Sequence, residues 1–121
     1  RISDSIRAGH LSTEDKIKQW VREHYGDPEL NVNTLSENLS LNASYVSRVF
    51  TEKTGETLSS YIQGIRIERS LPLLAGGGTI AEISQQVGFL SPNTFIRAFK
   101  KHKGITPGQY RELIGKESST V

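Results

Sequence analysis

TIAEISQQVGFLSPNTFIRAFKKHKGITPGQY, from Thr79 to Tyr110, is the stretch that decides the fold. Thr79 is a good helix N-cap and Glu82 follows three residues on, the spacing of a capping box. Ile80, Ile83 and Val87 then recur at helical spacing. Gly88 stops that helix, just past its end, where a left-handed backbone is favoured. A second start follows at once. Ser91 caps it and Pro92 takes the first helical position, where a missing N–H costs nothing. Phe95, Ala98 and Phe99 give this helix a buried face, while Asn93, Ile96, Arg97 and Lys100 fall at i, i+3, i+4 and i+7 and share another. Gly104 ends it. The pattern predicts a helix-turn-helix, a unit whose second helix can lie in a DNA major groove.

An earlier copy of the pattern begins at Asn31, which caps a helix with Val32, Leu35 and Leu39 as its buried stripe. Ser36 takes the place of Ser84, and a small residue there lets two helices approach closely. Leu41 matches Phe89. Asn42 caps the next helix, in which Val46, Val49 and Phe50 point inward and Ser44, Ser47, Arg48 and Thr51 share the outward face. Gly55 stops it. Before the turn the copies match at an offset of 48, as Leu39 with Val87; after it they match at 49, as Arg48 with Arg97 and Phe50 with Phe99. One extra residue has therefore entered the second turn, around Leu90 to Pro92. A period of about 50 can mark a repeat array, but two copies read as a duplicated module.

Around the two copies the reading is simpler. Residues 1–11 show no period and are expected to be a linker from an absent upstream domain; a chain opening on Arg1 rather than Met is expected to be a piece of a longer protein. Ser12 caps a helix with Glu14 and Asp15 in its first turn, at the positive end of the dipole. Ile17, Trp20, Val21 and Tyr25 make its stripe, with Trp20 in the core, and Gly26-Asp27-Pro28 closes it. The first helix-turn-helix module is thus expected over 12–56. A linker helix and glycine-rich joint follow over 57–78, starting from a Thr57 cap. Tyr61, Ile62, Ile65, Leu73 and Leu74 are its apolar positions; Arg66, Glu68 and Arg69 are expected to be exposed. Some sixteen residues of helix reach about 24 Å. With each module's own width this suits two recognition helices about one DNA turn, ~34 Å, apart. Pro72 is expected to kink that helix or end it early, and Gly76-Gly77-Gly78 to form a flexible joint rather than a phosphate loop. The second module is expected over 79–115. Its last helix starts at Thr106 with Pro107 at N1 and Gln109 at N3; Tyr110, Leu113 and Ile114 pack back, and Gly115 ends it before a frayed tail, 116–121.

Composition narrows the function. There is no Cys, so neither a disulfide framework nor a thiolate metal site is available, and a reducing, cytoplasmic setting is allowed. No apolar run is long enough to span a membrane. His10, His24 and His102 are scattered, with no nucleophile-base pair or metal spacing, so no enzyme and no cofactor or metal is expected. Residues 1–60 hold seven Lys and Arg against nine Asp and Glu; residues 61–121 hold eight against four. The basic half contains the opening stretch, which suits a polyanion as it would suit a solvated basic face.

Ile80 to Arg111, with its terminal Gly104, Pro107, Tyr110 and Arg111, resembles the second helix-turn-helix of the AraC/XylS family of bacterial transcription regulators. LSENLSLNASYVSRVFTEKTGETLSSYI and the RIERS of the linker also resemble that family, so the likeness covers about residues 12–114. It implies an all-α, homeodomain-like domain of about seven helices: two helix-turn-helix modules joined by a long linker helix. Recognition helices over about 43–54 and 92–103 would enter successive major grooves of double-stranded DNA. An effector-binding, receiver or sensor domain would precede it, and RNA polymerase would be a candidate further partner. Carried over by position, Ser44, Ser47 and Arg48, then Asn93, Ile96 and Arg97, would face bases, with Pro92 and Thr94 near the DNA. These sets agree with the outward faces read from spacing. Pro72 and the loose glycine run depart from the family's pattern and put a rigid spacing between modules in question.

The chemistry of those residues leaves options. Arg48 and Arg97 can pair bidentately with guanine, or bind a phosphate or a carboxylate. Asn93 can read adenine or cap locally. Ser44 and Ser47 are short and suit water-mediated readout. Ile96 can touch a thymine methyl or simply pack. Thr51 shares the outward face; Lys100, Lys101 and Lys103 are phosphate candidates, as are the helix N-terminal amides near Asn31 and Thr79. The rival reading is a helical protein-interaction module contacting polymerase or an upstream regulatory domain. Steep salt dependence would separate the two.

Overall fold

The computed structural model describes residues 12–119. Among them it has seven helices and no strand: α1 Thr13–His24, α2 Val32–Asn38, α3 Ala43–Thr54, α4 Leu58–Ala75, α5 Ile80–Gln86, α6 Pro92–Lys103 and α7 Pro107–Ser119. The all-α expectation holds. The expected linker over residues 1–11 and the end of the expected tail, residues 120–121, lie outside the described residues. The helices fall into two compact units. One holds residues 12–24 and Leu30–Ile62; the other holds Tyr25–Glu29 and the chain from Gln63 onward. The division falls inside α4, not at the glycine run.

In the first unit, Ser12 caps α1 by accepting the Asp15 N–H at 3.1 Å. Ile17 and Val21, one turn apart, are fully buried and fix the inward direction of the helix. Trp20 does not share it. It is half-buried at the edge of the stripe and stacks on His24, ring centroids 3.9 Å apart, so the core place expected for it is corrected. α3 packs against both α1 and α2. Leu35, Val46 and Phe50 are fully buried; Val32, Leu39 and Val49 are only half-buried. Ser36 is buried and donates to the Val32 carbonyl at 2.6 Å, which satisfies its hydroxyl within its own helix.

The second unit is built on Ile67, Leu74, Ile83, Val87, Phe89, Phe95, Ala98 and Phe99. Phe95 touches Phe99 edge-on, and Phe99 meets Tyr110 the same way, with centroids 5.8 and 5.7 Å apart. α1 ends at His24, so Tyr25 does not extend its stripe and packs instead on this core. Arg66, expected on the surface, is 8% exposed. Its Nε donates to the Tyr25 carbonyl at 2.9 Å and its Nη2 to the Asp27 carbonyl at 3.0 Å, while the guanidinium lies over the Phe89 ring. Burial holds that guanidinium below its ordinary range, with the Asp27 carboxylate pulling the other way. A buried cation is tolerated because two carbonyls and a ring face take the place of water.

α4 runs past Pro72 to Ala75, so the early end does not occur. Pro72 is exposed, and the carbonyl it leaves unpaired belongs to the exposed Glu68, where water can serve it. Leu74, beyond the proline, is 1% exposed, and its burial holds the last turn in place. The glycine run is not a loose joint between units. It lies within the second, where Arg111 donates to the carbonyls of Leu74 (3.1 Å) and Gly78. α7 has the expected capping box, Gln109 N–H to Thr106 Oγ1 at 3.1 Å and Thr106 N–H to Gln109 Oε1 at 2.9 Å. It does not stop at Gly115 but continues to Ser119, and Leu113 is 50% exposed rather than packed back. A glycine inside a helix costs under about 1 kcal/mol, too little to end one by itself.

Candidate nucleic-acid interface

Each unit carries a short helix, a tight turn and a longer helix, and the two turns are built alike. Leu41 N–H donates to the Ser36 carbonyl at 2.8 Å, and Phe89 N–H to the Ser84 carbonyl at 2.9 Å. Up to that bond the copies keep one register. Asn42 then caps α3 directly by accepting the Tyr45 N–H, whereas Ser91, one residue further on, caps α6 through the Thr94 N–H. The extra residue is therefore Leu90, which is 79% exposed: the turn excludes it from the core. Ser40 and Gly88, equivalent residues, both adopt positive φ, 58° and 101°. Ser40 is exposed and keeps its side chain. A Cβ on Gly88 would stand 2.3 Å from the Tyr25 carbonyl oxygen and 2.8 Å from Arg66 Nε, so only glycine fits.

The turns orient α3 and α6. On α3, Ser44, Ser47, Arg48 and Thr51 are all exposed and line, with Ala43 and Val32 of α2, one shallow groove of about 560 Å³. The structure thus brings the four spacing-derived residues together. Tyr45, which spacing did not single out, is 39% exposed, and the Arg48 guanidinium sits 5.6 Å from its ring centroid. Its signal in the sequence was its equivalence, at the offset of 49, to Thr94.

On α6, Pro92, Asn93, Arg97 and Lys100 are exposed and Ile96 is half-buried. A second surface lies beside them. Thr94, Arg97, Ala98 and Lys101 line, with Gln63 of α4, a cleft of about 260 Å³. Gln63 had no local signal; its place depends on how α4 packs. The Thr94 hydroxyl lies 2.9 Å from the Ser91 hydroxyl. Lys103 is exposed, and its ammonium is hydrogen-bonded to the Glu68 carboxylate. Asn31 and Thr79 use their side chains on their own helices, each in a reciprocal capping box with Thr34 and Glu82. α6 carries Arg97, Lys100, Lys101 and Lys103 and no acid, whereas α3 carries Arg48 and Lys53 against Glu52. Among the described residues, no three His, Cys, Asp or Glu side chains stand together as a metal site, and no helix is long and apolar enough to cross a membrane.

The profile of a family described as a helix-turn-helix domain matches residues 35–113. The Msm operon regulatory protein of Streptococcus mutans is 35% identical over 101 residues, which cover 83% of this chain and 36% of that protein. The C-terminal domain of AraT, a response regulator from Geobacillus stearothermophilus, superposes with a TM-score of 0.82 at 29% identity, covering 86% of this chain and 88% of that one. The DNA-binding domain of the global transcriptional factor AdpA, solved in complex with a target DNA, gives a TM-score of 0.77 at 22% identity over 84% of this chain and 92% of that one, a likeness of fold. The chain spans about a third of the length of the Msm regulator.

Proposed function

Because the chain belongs to the AraC family of helix-turn-helix transcription regulators, we propose that α3 and α6 enter successive major grooves of one duplex. The domain binds DNA in a transcription regulator; what is proposed is how it reads. Ser44, Ser47 and Arg48 meet base edges from α3, and Asn93, Ile96 and Arg97 from α6. Thr51, Pro92, Thr94, Lys100 and Lys101 lie along the backbone. The observation that carries this reading is that the outward faces, apart from the half-buried Ile96, are solvent-exposed on helices fixed at each end, by an Asn42 or Ser91 cap and by Gly55 or Gly104 in the left-handed conformation. A preorganised helix face whose Arg side chains form no ion pair among the described residues, with short polar side chains beside them, suits major-groove edges. The same reading gives the domain a cytoplasmic place in a bacterium, an upstream effector, receiver or sensor domain, and RNA polymerase as a further partner.

The test is selection of randomised duplex DNA by the 121-residue chain at two salt concentrations. Two enriched half-elements about one turn (~10 base pairs) apart support two-module reading. One enriched half-element overturns the successive-groove placement. No enrichment, with binding that vanishes as salt rises, puts the protein-interaction module in its place. Within an enriched site, Arg97→Ala relaxes preference at one base pair, and Lys100→Ala weakens all sequences alike. A uniform loss in Arg97→Ala across the library would remove its base-reading role.

A further inference from the structure

The cleft at Gln63 is a second kind of surface on the same unit. Thr94, Arg97, Ala98 and Lys101 are spaced i, i+3, i+4 and i+7, so they form one face of α6, rotated by about 100° from the Asn93 and Lys100 face. Arg97 stands at the border of the two. A helix seated in a major groove meets base edges with one face and the sugar-phosphate backbone with its flank. We propose that this cleft binds a DNA phosphodiester, with Gln63 and Lys101 as its main ligands, so that the start of α4 grips the duplex together with α6. The inference rests on the DNA-reading orientation of α6 given above.

The lining fits an anion. Gln63, Arg97 and Lys101 bring amide, guanidinium and ammonium donors to one concavity. No carboxylate lines it; the acid on the exposed face of α4, Glu68, is already engaged by Lys103. Arg97 and Lys101 form no ion pair, and Gln63 makes no side-chain hydrogen bond, among the described residues. Ala98 is 6% exposed and forms a floor low enough for a group to enter. About 260 Å³ is room for a phosphate and its first waters, given a share of ~30 Å³ per water. The first unit has no counterpart. At the offset of 49, Thr94, Ala98 and Lys101 correspond to Tyr45, Val49 and Glu52, a ring, a bulkier apolar residue and an acid. The clamp thus belongs to the second unit alone.

The experiment measures affinity of the full chain for its selected duplex and for an unrelated duplex across a salt series. Gln63→Glu weakens both equally, by about tenfold, because a carboxylate faces the phosphate. Gln63→Arg tightens both equally and steepens the slope of log K against log salt by about 0.9, one more phosphate neutralised; Lys101→Ala flattens it by the same amount. A gain in affinity cannot come from misfolding, so the arginine variant protects the test from a folding artefact. The proposal is overturned if both Gln63 variants leave affinity and slope unchanged, or if they alter the ratio between the two duplexes, which would make Gln63 a base reader. Those results leave the DNA-reading orientation standing. If the unsubstituted chain shows no salt-dependent duplex binding, that orientation and the clamp fall together.

Discussion

Gly88→Ala is the substitution that most directly tests how the second turn is built. Gly88 has φ 101°, and its missing Cβ would stand 2.3 Å from the Tyr25 carbonyl oxygen, 2.8 Å from Arg66 Nε and 3.2 Å from the Gly26 carbonyl carbon. Two costs follow. A left-handed backbone at a residue with a Cβ costs about 1–2 kcal/mol. Relieving the contact moves Tyr25 away from Arg66, and loss of a hydrogen bond to a buried cation costs about 1.5–3 kcal/mol. The sum, about 2.5–5 kcal/mol, lowers Tm by at least about 10 °C in a domain of this size. Gly77→Ala isolates the first cost, since Gly77 has φ 92° and open space where its Cβ would go. Thermal unfolding followed by circular dichroism should place Gly88→Ala well below Gly77→Ala, and Gly77→Ala slightly below the unsubstituted chain. If both alanine variants melt together, the close approach of the 25–27 segment to the turn is refuted and only backbone strain remains.

Three further outcomes are expected. A Cβ on Gly64 meets His102 Cε1 at 3.7 Å, an ordinary contact, so Gly64→Ala raises Tm through its higher helix propensity by ~0.5–1 kcal/mol; a lower Tm would show that α4 and α6 are closer than this. Tyr45→Ala loosens Arg48 and lowers its base discrimination by about two- to fivefold, the worth of an exposed cation–π contact, while Tyr45→Phe keeps the ring and the discrimination; equal losses in both variants would assign the effect to the hydroxyl. Glu68→Ala frees Lys103 and tightens binding to every duplex while changing stability by under ~1 kcal/mol, because the pair is exposed; unchanged affinity in a salt series would mean Lys103 points away from DNA.

The duplication explains why the two units are alike in their turns and unlike in their surfaces. Turn geometry is held by the same backbone bonds, from Leu41 to Ser36 and from Phe89 to Ser84. The exposed positions are free to diverge. Ser47 and Glu52 in one unit stand where Ile96 and Lys101 stand in the other. One helix face is thus weakly charged and the other strongly basic in the same chain.

By itself the sequence determined the helix starts and the stops made by a left-handed glycine, but not the ends expected at Pro72 and Gly115. The Thr79–Glu82 and Thr106–Gln109 boxes, the Ser91-Pro92 start and the stops at Gly55 and Gly104 all stand where the residues place them. These features depend on φ preferences and hydrogen bonds spanning three or four residues, which neighbours along the chain supply. The outward face of α3 was legible for the same reason: period alone fixes which residues share it. What only the tertiary structure decided is the fate of side chains whose partners are distant. Arg66 is buried because carbonyls 41 and 39 residues earlier, Tyr25 and Asp27, reach it. Lys103 carries an ion pair because Glu68, 35 residues away, reaches its ammonium. α4 survives Pro72 because Leu74 is buried beyond it, and Gln63 joins the α6 cleft because of where that helix packs. A helical period gives the direction in which a side chain leaves its own helix; what it meets there is set by packing, which no local pattern encodes.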